Sequence, residues 1–321
     1  MNNPQHPEIP RPRDAATVIL IRETQKKPFE FFLMRRHKKQ NFMGGAFVYP
    51  GGALDEGDCD AELVRHMDGI SVNDAVTRLN EPETPEEKVL GLFFAAVRET
   101  FEESGVLLSD VTVNSNNPEK SRALADHLNG YRNQIHEGTL TLKDFAVREN
   151  FRYALDHLMP FARWITPEVE SRRFDTRFFI ARIPRHQKPE HDHIEMVESL
   201  WLTPEEAKAK NDRGEIMLMP PTLKTIEEIS LFSSVDELFE SVSKVKIRPI
   251  LPQAFQAESG FGIKLPHDPE YAIEAYKQPF RENDPSRVVM VDGKFQIMFA
   301  HDAKAAETHG TADLKPITGG R

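Results

Sequence analysis

Three glutamates are the first residues in this chain whose types and spacing could do chemistry. Glu99, Glu102 and Glu103 lie in the stretch RETFEESG, from Arg98 to Gly105. Residues three and four apart share one side of a helix, so the three carboxylates project from a single patch. Like charges so placed repel unless positive charge sits among them. A hard divalent cation, Mg²⁺ or Mn²⁺, suits such an all-oxygen set and can bridge to a phosphate. Arg98, four residues before Glu102, is spaced to hold that carboxylate. The plainer alternative is a solvated acidic face on an amphipathic helix.

The element that must carry these residues reads as a helix beginning at Thr84. Thr84 is the expected N-cap, Pro85 the first helical residue and Glu87 the closing member of a capping box. Gly105 is the expected stop. Val89, Phe93, Val97 and Phe101, with Leu90 and Ala96, form the predicted buried stripe. Upstream, a short predicted strand over 44–49 enters Pro50-Gly51-Gly52. Glycines there let backbone approach a metal or phosphate closely.

Residues 98–106, RETFEESGV, resemble the second half of the Nudix box, R-E-U-x-E-E-x-G-U, with Thr100 where the family favours an aliphatic residue. Pro50-Gly51-Gly52 resembles the glycine loop that opens that box. The family pattern places fourteen positions between its first glycine and the arginine. Here the step from Gly52 to Arg98 is 98 − 52 = 46, an excess of 46 − 14 = 32 residues. Counting back from Arg98 puts Leu90 where the family has its first glutamate, so that glutamate is missing or displaced. Asp55 and Asp58, in PGGALDEGD, either replace some of its charge or cap the inserted segment. A split box of this kind is similar to the coenzyme A diphosphatase-type subgroup, and the resemblance covers residues 12 to about 230.

The resemblance implies an α/β fold: a Nudix-type α/β/α sandwich with a mixed sheet. Residues 1–12 are expected as a flexible arm and 13–230 as the Nudix hydrolase domain. The insertion, about 56–84, is expected as short helices forming a lid, a pocket edge or a surface excursion. With the central helix capped at Thr84, a short linker should be able to replace it. Residues 231–302 are expected as a β-containing extension packed on the core or on a second subunit, which leaves a homodimer open. Its hairpin, 287–299, turns at Asp292-Gly293. Residues 303–321 are expected as a disordered tail. Other expected helices include 121–136 and 142–158, the latter broken near Asn150. Expected strands include 15–22, 29–35, 161–165 and 174–183.

Composition narrows the function classes. With 39% hydrophobic and 29% charged residues, this is an ordinary soluble composition over 321 residues. A formal net charge of −10 argues against a general nucleic-acid surface and against attraction to anionic membranes. The single cysteine, Cys59, excludes an internal disulfide framework and fits a reducing compartment such as the cytoplasm.

Local basic residues supply candidate substrate contacts. Arg35 and Arg36 lead a basic run, either a phosphate-steering rim or a solubilising loop. Arg173, near the start of the 174–183 strand, could fork onto a phosphate or form a cross-strand ion pair. His186, His191 and His193 share a loop, but no cysteine accompanies them as a zinc ligand. Glu195 lies 201 − 195 = 6 positions before Trp201, where many Nudix proteins keep a glutamate outside the box. Glu198 is its competitor.

Hydrolysis of a diphosphate needs phosphate charge neutralised, a water activated and a leaving group stabilised, which a carboxylate-held metal does. The resemblance assigns Glu102 and Glu103 as main Mg²⁺ (or Mn²⁺) ligands. Glu99 is a ligand or the base, Arg98 the residue that orients the carboxylates, and Glu195 a remote ligand or base. Arg35, Arg36, Gly51, Gly52 and Arg173 are the substrate-binding candidates. The implied substrate is a small nucleoside diphosphate linked to X. Coenzyme A or an acyl-CoA leads, with NADH, ADP-ribose or a nucleotide sugar as alternatives. A non-catalytic nucleotide-binding module is the reading from another class.

Overall fold

The computed structural model describes residues 9–24, 28–39, 43–113 and 117–303. Most of the expected N-terminal arm and C-terminal tail lies outside them. Strands β1 (Arg13–Arg22) and β2 (Glu30–Arg36) form where aliphatic and aromatic residues run together. Val18 and Leu20 face one side of β1, Ile19 and Ile21 the other, and all four are fully buried. Burial on both faces is why the strand reads as a continuous apolar run. β3 (Phe47–Val48) and β4 (Gly51–Ala53) come next along the chain.

The insertion holds two short 3₁₀ turns, then β5 (Met67–Asp68) and α1 (Val72–Leu79). The central helix is α2 (Glu86–Ser104). Beyond it come α3 (Asp110–Val113), α4 (Pro118–Asn129), α5 (Arg132–His136) and α6 (Leu142–Glu149). Asn150 ends α6 in the left-handed region. The helix expected to continue to 158 is replaced by the short strand β6 (Tyr153–Ala154) and a 3₁₀ turn.

Next come β7 (Met159–Ile165), β8 (Phe174–Arg182), β9 (Met196–Leu202), α7 (Pro204–Asp212), α8 (Pro220–Ile229) and α9 (Val235–Val242). The chain closes with β10 (Pro249–Ile250), β11 (Gln253–Ala257), β12 (Gly260–Lys264), β13 (Arg287–Val291) and β14 (Lys294–Met298).

The main sheet is mixed and eight-stranded. Its path is β10-β7-β8-β1-β2-β3, with β4 also on β1 and β9 also on β2. β1 runs parallel to β8 from Arg13↔Phe174 to Ile21↔Arg182. Along its other edge β1 changes partner: Ile21 and Arg22 pair with β2, whereas Ala15, Ala16 and Thr17 pair with β4. That switch carries the Pro50-Gly51-Gly52 turn alongside β1 and under α2. Among the described residues no helix is long and apolar enough to cross a membrane.

Two cores flank the sheet, as an α/β layer architecture requires. Val18, Leu20, Phe32 and Phe179 pack beneath α2. Ile19, Phe31 and Ile180 pack on the other side with Leu223 and Ile226 of α8. Ile263 and Phe295 of the C-terminal sheet belong to the second core, so the extension packs on its own chain. Asp292 (φ 49°) and Gly293 (φ 79°) form its hairpin turn, both in the left-handed region that a type I′ turn demands.

Two expectations about α2 are corrected. The helix starts at Glu86 with Pro85 as N-cap, and no side chain caps it. The Thr84 hydroxyl instead donates to Glu81 Oε2 at 3.0 Å, so the expected capping box does not form. Glu81 is anchored by Arg177, which offers that hydroxyl a fixed charged acceptor. The insertion, furthermore, is not a surface excursion, and Gly57 and Asp58 at its start line a cavity. Leu63, Ala75 and Leu79 share the first core with Phe93 and Phe94, burying the side of α2 that a simple amphipathic helix would expose.

Candidate active site

Glu99, Glu102 and Glu103 line one wall of a cavity of about 640 Å³, in the range of small-molecule sites. The last turns of α2 place them, and Gly105 (φ 70°) stops the helix just beyond. Arg98 ties the group together. Its Nε and Nη2 donate to Asp58 Oδ1 and Oδ2 at 2.8 and 2.9 Å, a bidentate fork. Its Nη1 donates to Glu99 Oε1 at 2.9 Å and to Glu102 Oε1 at 3.3 Å. Nη2 also donates to the Ala53 carbonyl. The Gly51 N–H donates to Glu103 Oε2 at 2.8 Å, and His136 Nδ1 stands 3.6 Å from Glu102 Oε2.

Both glycines of the turn are dictated by close approach. A Cβ on Gly52 would lie 2.3 Å from Glu99 Oε1, and one on Gly51 would lie 2.4 Å from Thr17 Oγ1. The turn can therefore pass between β1 and the carboxylates only without side chains.

The electrostatics are those of a negative surplus. Burial, reinforced by Glu102, pushes the Glu99 carboxyl up to about 8 despite Arg98. Burial and then Glu99 push Glu103 well above the usual carboxylate range, against the pull of Arg36 and the Gly51 N–H. Burial raises Glu102 as well. Burial also opposes the charge on Arg98, but Asp58 and Glu99 outweigh it and push that pKa further up. A positive charge added here would relieve repulsion that one guanidinium leaves unbalanced.

The donor set is all carboxylate, which fits Mg²⁺ or Mn²⁺ and not a thiophilic metal. Among the described residues, no group of three or more His, Cys, Asp or Glu side chains converges to metal-holding distance. Arg98 Nη1 lies between Glu99 and Glu102, so these carboxylates would turn from the guanidinium to receive a cation. The histidines of the 184–193 loop form no metal group either.

The remaining candidates separate clearly. Arg36 and Glu195 line the cavity and lie 3.5 Å apart, and the Glu195 charge acts on Glu103. Glu198 pairs with Arg35 at 3.2 Å, and neither lines the cavity. Arg35 is therefore corrected from substrate contact to surface ion pair. Arg173 is corrected too: buried, it donates to the Thr166 and Pro10 carbonyls and holds the chain together. Its neighbour Arg172 lines the cavity instead.

Sequence reasoning left Asp58 open as either a replacement charge or a cap, and missed His136 and Trp164 as parts of the cavity wall. Asp58 had a usable signal. If the box's first acid lies eight positions before the arginine and fourteen separate glycine from arginine, it lies six after the glycine. From Gly52 that is 52 + 6 = 58, the residue that grips Arg98. The first acid of the box is thus present as aspartate, and the insertion comes after it.

Split box, carboxylate wall and mixed sheet together define a Nudix hydrolase, and the comparisons agree. Residues 12–229 match the family model described as the NUDT19 Nudix domain, so the chain belongs to the Nudix hydrolases, in their coenzyme A diphosphatase-type branch. It is 25% identical to the acyl-coenzyme A diphosphatase NUDT19 of Xenopus laevis, over 76% of this chain and 71% of that protein. It is 26% identical to the Homo sapiens protein of the same name, over 74% of each. Among solved structures, a Nudix hydrolase from Alicyclobacillus acidocaldarius superposes with a TM-score of 0.55 at 23% identity. That match covers 75% of this chain and all of the other, and it establishes the fold. The protein is an enzyme that hydrolyses phosphoanhydride bonds.

Proposed function

We propose that this enzyme cleaves the diphosphate of coenzyme A or an acyl-CoA to 3′,5′-ADP and a phosphopantetheine, with Mg²⁺ or Mn²⁺ as cofactor. The observation that carries this reading is a cavity whose lining holds both charged and apolar side chains. Glu99, Glu102, Glu103, Glu195 and Arg36 line it, and so do the apolar side chains of Met219, Pro221, Pro252 and Ile263. A substrate with a charged diphosphate and a long, sparsely polar arm matches both. The NUDT19 relatives are named for such substrates.

Glu102 and Glu103, with Glu99, would hold the cation. When bound it would neutralise phosphate charge and make water more acidic. Arg98, locked by Asp58, sets the direction of Glu99 and Glu102, and the Gly51 N–H sets that of Glu103. Glu195 stands apart from Arg98 and is more exposed than Glu99 or Glu102, at 40% of its side chain against 13% and 9%. We assign it as the base that takes the proton of the attacking water. Arg36 and Arg172 are the cavity guanidiniums for substrate phosphates.

Product analysis with coenzyme A, an acyl-CoA, NADH, ADP-ribose and a nucleotide sugar, with Mg²⁺ and with chelator, tests this. The highest kcat/KM is expected for the acyl-CoA, and only with metal. A higher value for any substrate lacking the pantetheine arm overturns the assignment. Glu195→Gln should lower kcat far more than it raises KM. Wild-type kcat in that variant would move the base to Glu99.

A further inference from the structure

Glu195 stands where the 184–193 loop enters β9, and it lines the cavity with the box carboxylates. That loop is fastened to the end of α2. The Gln187 side chain accepts from the Leu107 N–H at 2.9 Å and donates to the Leu107 carbonyl at 2.8 Å. The Glu190 N–H donates to the Ser104 carbonyl at 2.9 Å. Asp192 then shapes the exit. Its Oδ1 accepts from the N–H groups of Ile194, Glu195 and Met196, at 2.9, 3.1 and 2.9 Å. An aspartate that takes successive amides in this way folds the chain into a turn without help from a helix or sheet. His193, inside the turn, has φ 61°, a left-handed conformation uncommon outside glycine. The Glu195 carbonyl accepts from the His37 N–H at 2.8 Å, so both backbone groups of Glu195 are engaged.

The second oxygen, Asp192 Oδ2, is buried and has no hydrogen-bond partner among the described residues. Nη2 of Arg132 is likewise buried and unpartnered. Such orphans are rare, and these two are a charged acceptor and a charged donor. Asn129 Oδ1, near the same guanidinium, is a third orphan but carries no charge. Burial holds the Arg132 guanidinium below its ordinary value, and Asp192 is the largest charge acting against that. Arg132 is itself tied to the site, since its Nε donates to the Glu102 carbonyl at 2.6 Å. The other charges acting on it are Glu190 from the loop and Glu102 and Glu103 from α2. Arg132 thus couples, through its charge, to the segment that carries Glu102 and to the segment that delivers Glu195.

We infer that Asp192 is a positioning residue for the reaction: it builds the turn that presents Glu195 to the carboxylate wall, with Arg132 as the charge that steadies its carboxylate over the end of α2. This rests on Glu195 as the base assigned above. It gives the histidine-bearing loop a task that needs no metal. It also makes the geometry of the base depend on the helix end that carries Glu102 and Glu103.

The test reads kcat with whichever substrate of the panel above gives the highest kcat/KM. Asp192→Ala removes the acceptor and should lower kcat roughly 10- to 100-fold, as for a reacting group moved by about an ångström. KM and the Mg²⁺ concentration for half-maximal rate should stay within about twofold, because the substrate contacts and the metal carboxylates are untouched. Asp192→Asn keeps an acceptor for the amides and loses the charge that acts on Arg132, so its kcat should fall between those of wild type and Asp192→Ala. The deciding measurement repeats Asp192→Ala in the Glu195→Gln background. A residue that acts only through Glu195 should cost no more than about twofold there, whereas a general structural role would cost the same in both backgrounds. Full additivity, or wild-type kcat in Asp192→Ala, overturns the inference. Wild-type kcat in Glu195→Gln alone overturns the base assignment and this inference with it, so the two failures are told apart. If Asp192→Ala fails to fold, Asp192→Asn in the same two backgrounds decides. Hydrogen exchange reads the turn without turnover. The Glu195 amide should exchange roughly tenfold or more faster in Asp192→Ala and unchanged in Glu195→Gln, as for a lost hydrogen bond to a charged acceptor. Equal exchange in Asp192→Ala and wild type overturns the inference.

Discussion

Arg98 is a largely buried guanidinium and Arg177 a buried one, and each is gripped in a bidentate fork by an acid at one end of the inserted segment. Asp58 holds the first and Glu81 the second. Their surroundings differ in charge balance. Around Arg177, Arg163 and Lys88 join in, and the three cations face Glu81, Asp14 and Asp175. Burial works against the Asp14 charge, yet Lys88 and Arg177 hold its carboxyl below the usual range. Around Arg98, by contrast, Asp58, Glu99 and Glu102 share one guanidinium, and Glu103 and Glu195 have Arg36 nearby. There the box carboxyls are pushed up. The same chemistry therefore yields a structural clamp where charges balance and a cation-seeking site where they do not. Asp58 and Glu81 also bracket the insertion, which is fastened to the body at both ends.

The sharpest break in this comparison is Glu103→Gln. If the surplus charge exists for a cation, kcat should fall by about three orders of magnitude, or ~4 kcal/mol of transition-state stabilisation. Metal-free thermal stability should hold or rise, because a buried carboxylate is removed from a repulsive cluster. Near wild-type turnover at saturating Mg²⁺ would end the metal assignment. The counterpart is Arg177→Met, which leaves Glu81 and Asp14 without their main partner. Denaturant unfolding should show a loss of roughly 3–5 kcal/mol, with kcat per folded molecule little changed. A large kcat loss at unchanged stability would erase the distinction between the two arginines.

Asp58→Asn probes the link between fold and site. It leaves Arg98 to be held by the carboxylates it should be orienting. Mg²⁺ affinity or activity should drop roughly 10- to 100-fold, as when a partner of a metal ligand is lost. Unchanged Mg²⁺ titrations and kinetics would show that the fork is dispensable.

Much of α2 could be read from sequence because a helix buries residues at a fixed period. Val89, Phe93, Val97 and Phe101 declare it, and Gly105 ends it. The paired carboxylates were equally local. What escaped depends on contacts between distant segments. Asp58 meets Arg98 across forty positions, and counting back through the inserted residues hid it. Thr84 would have capped α2 had Glu81 not been pinned by Arg177. Arg173 and Arg172 are adjacent and chemically alike, so only their packing shows that one holds the backbone and the other lines the cavity. Trp164 reads as an ordinary strand residue, and its place in the cavity wall depends on segments far from it in sequence.

The smallest expected effect is one of sign, and pH separates the two clusters by it. The Glu99 carboxyl lies at about 8 in the folded, metal-free protein, against an ordinary 4.5. The unfolded chain therefore releases this proton first as pH rises. The stability Glu99 contributes is complete below about 4.5 and is lost as pH climbs through 8. Asp14 behaves oppositely: its folded pKa lies below 3.8, so its contribution is present above that value and is lost as pH falls beneath it. Metal-free protein should thus lose stability toward pH 8 with a slope on the order of 1 kcal/mol per pH unit. A cation needs the carboxylate ionised and displaces the proton. Saturating Mg²⁺ should accordingly flatten the alkaline decline and leave the acid limb unchanged, since Asp14 belongs to the balanced cluster. Urea unfolding at pH values from 3 to 8.5, with and without Mg²⁺, reads both limbs. If the alkaline limb is level without metal, Glu99 carries no excess charge for a cation to relieve. If Mg²⁺ shifts the acid limb as well, the two clusters are coupled and Arg177 is part of the active site.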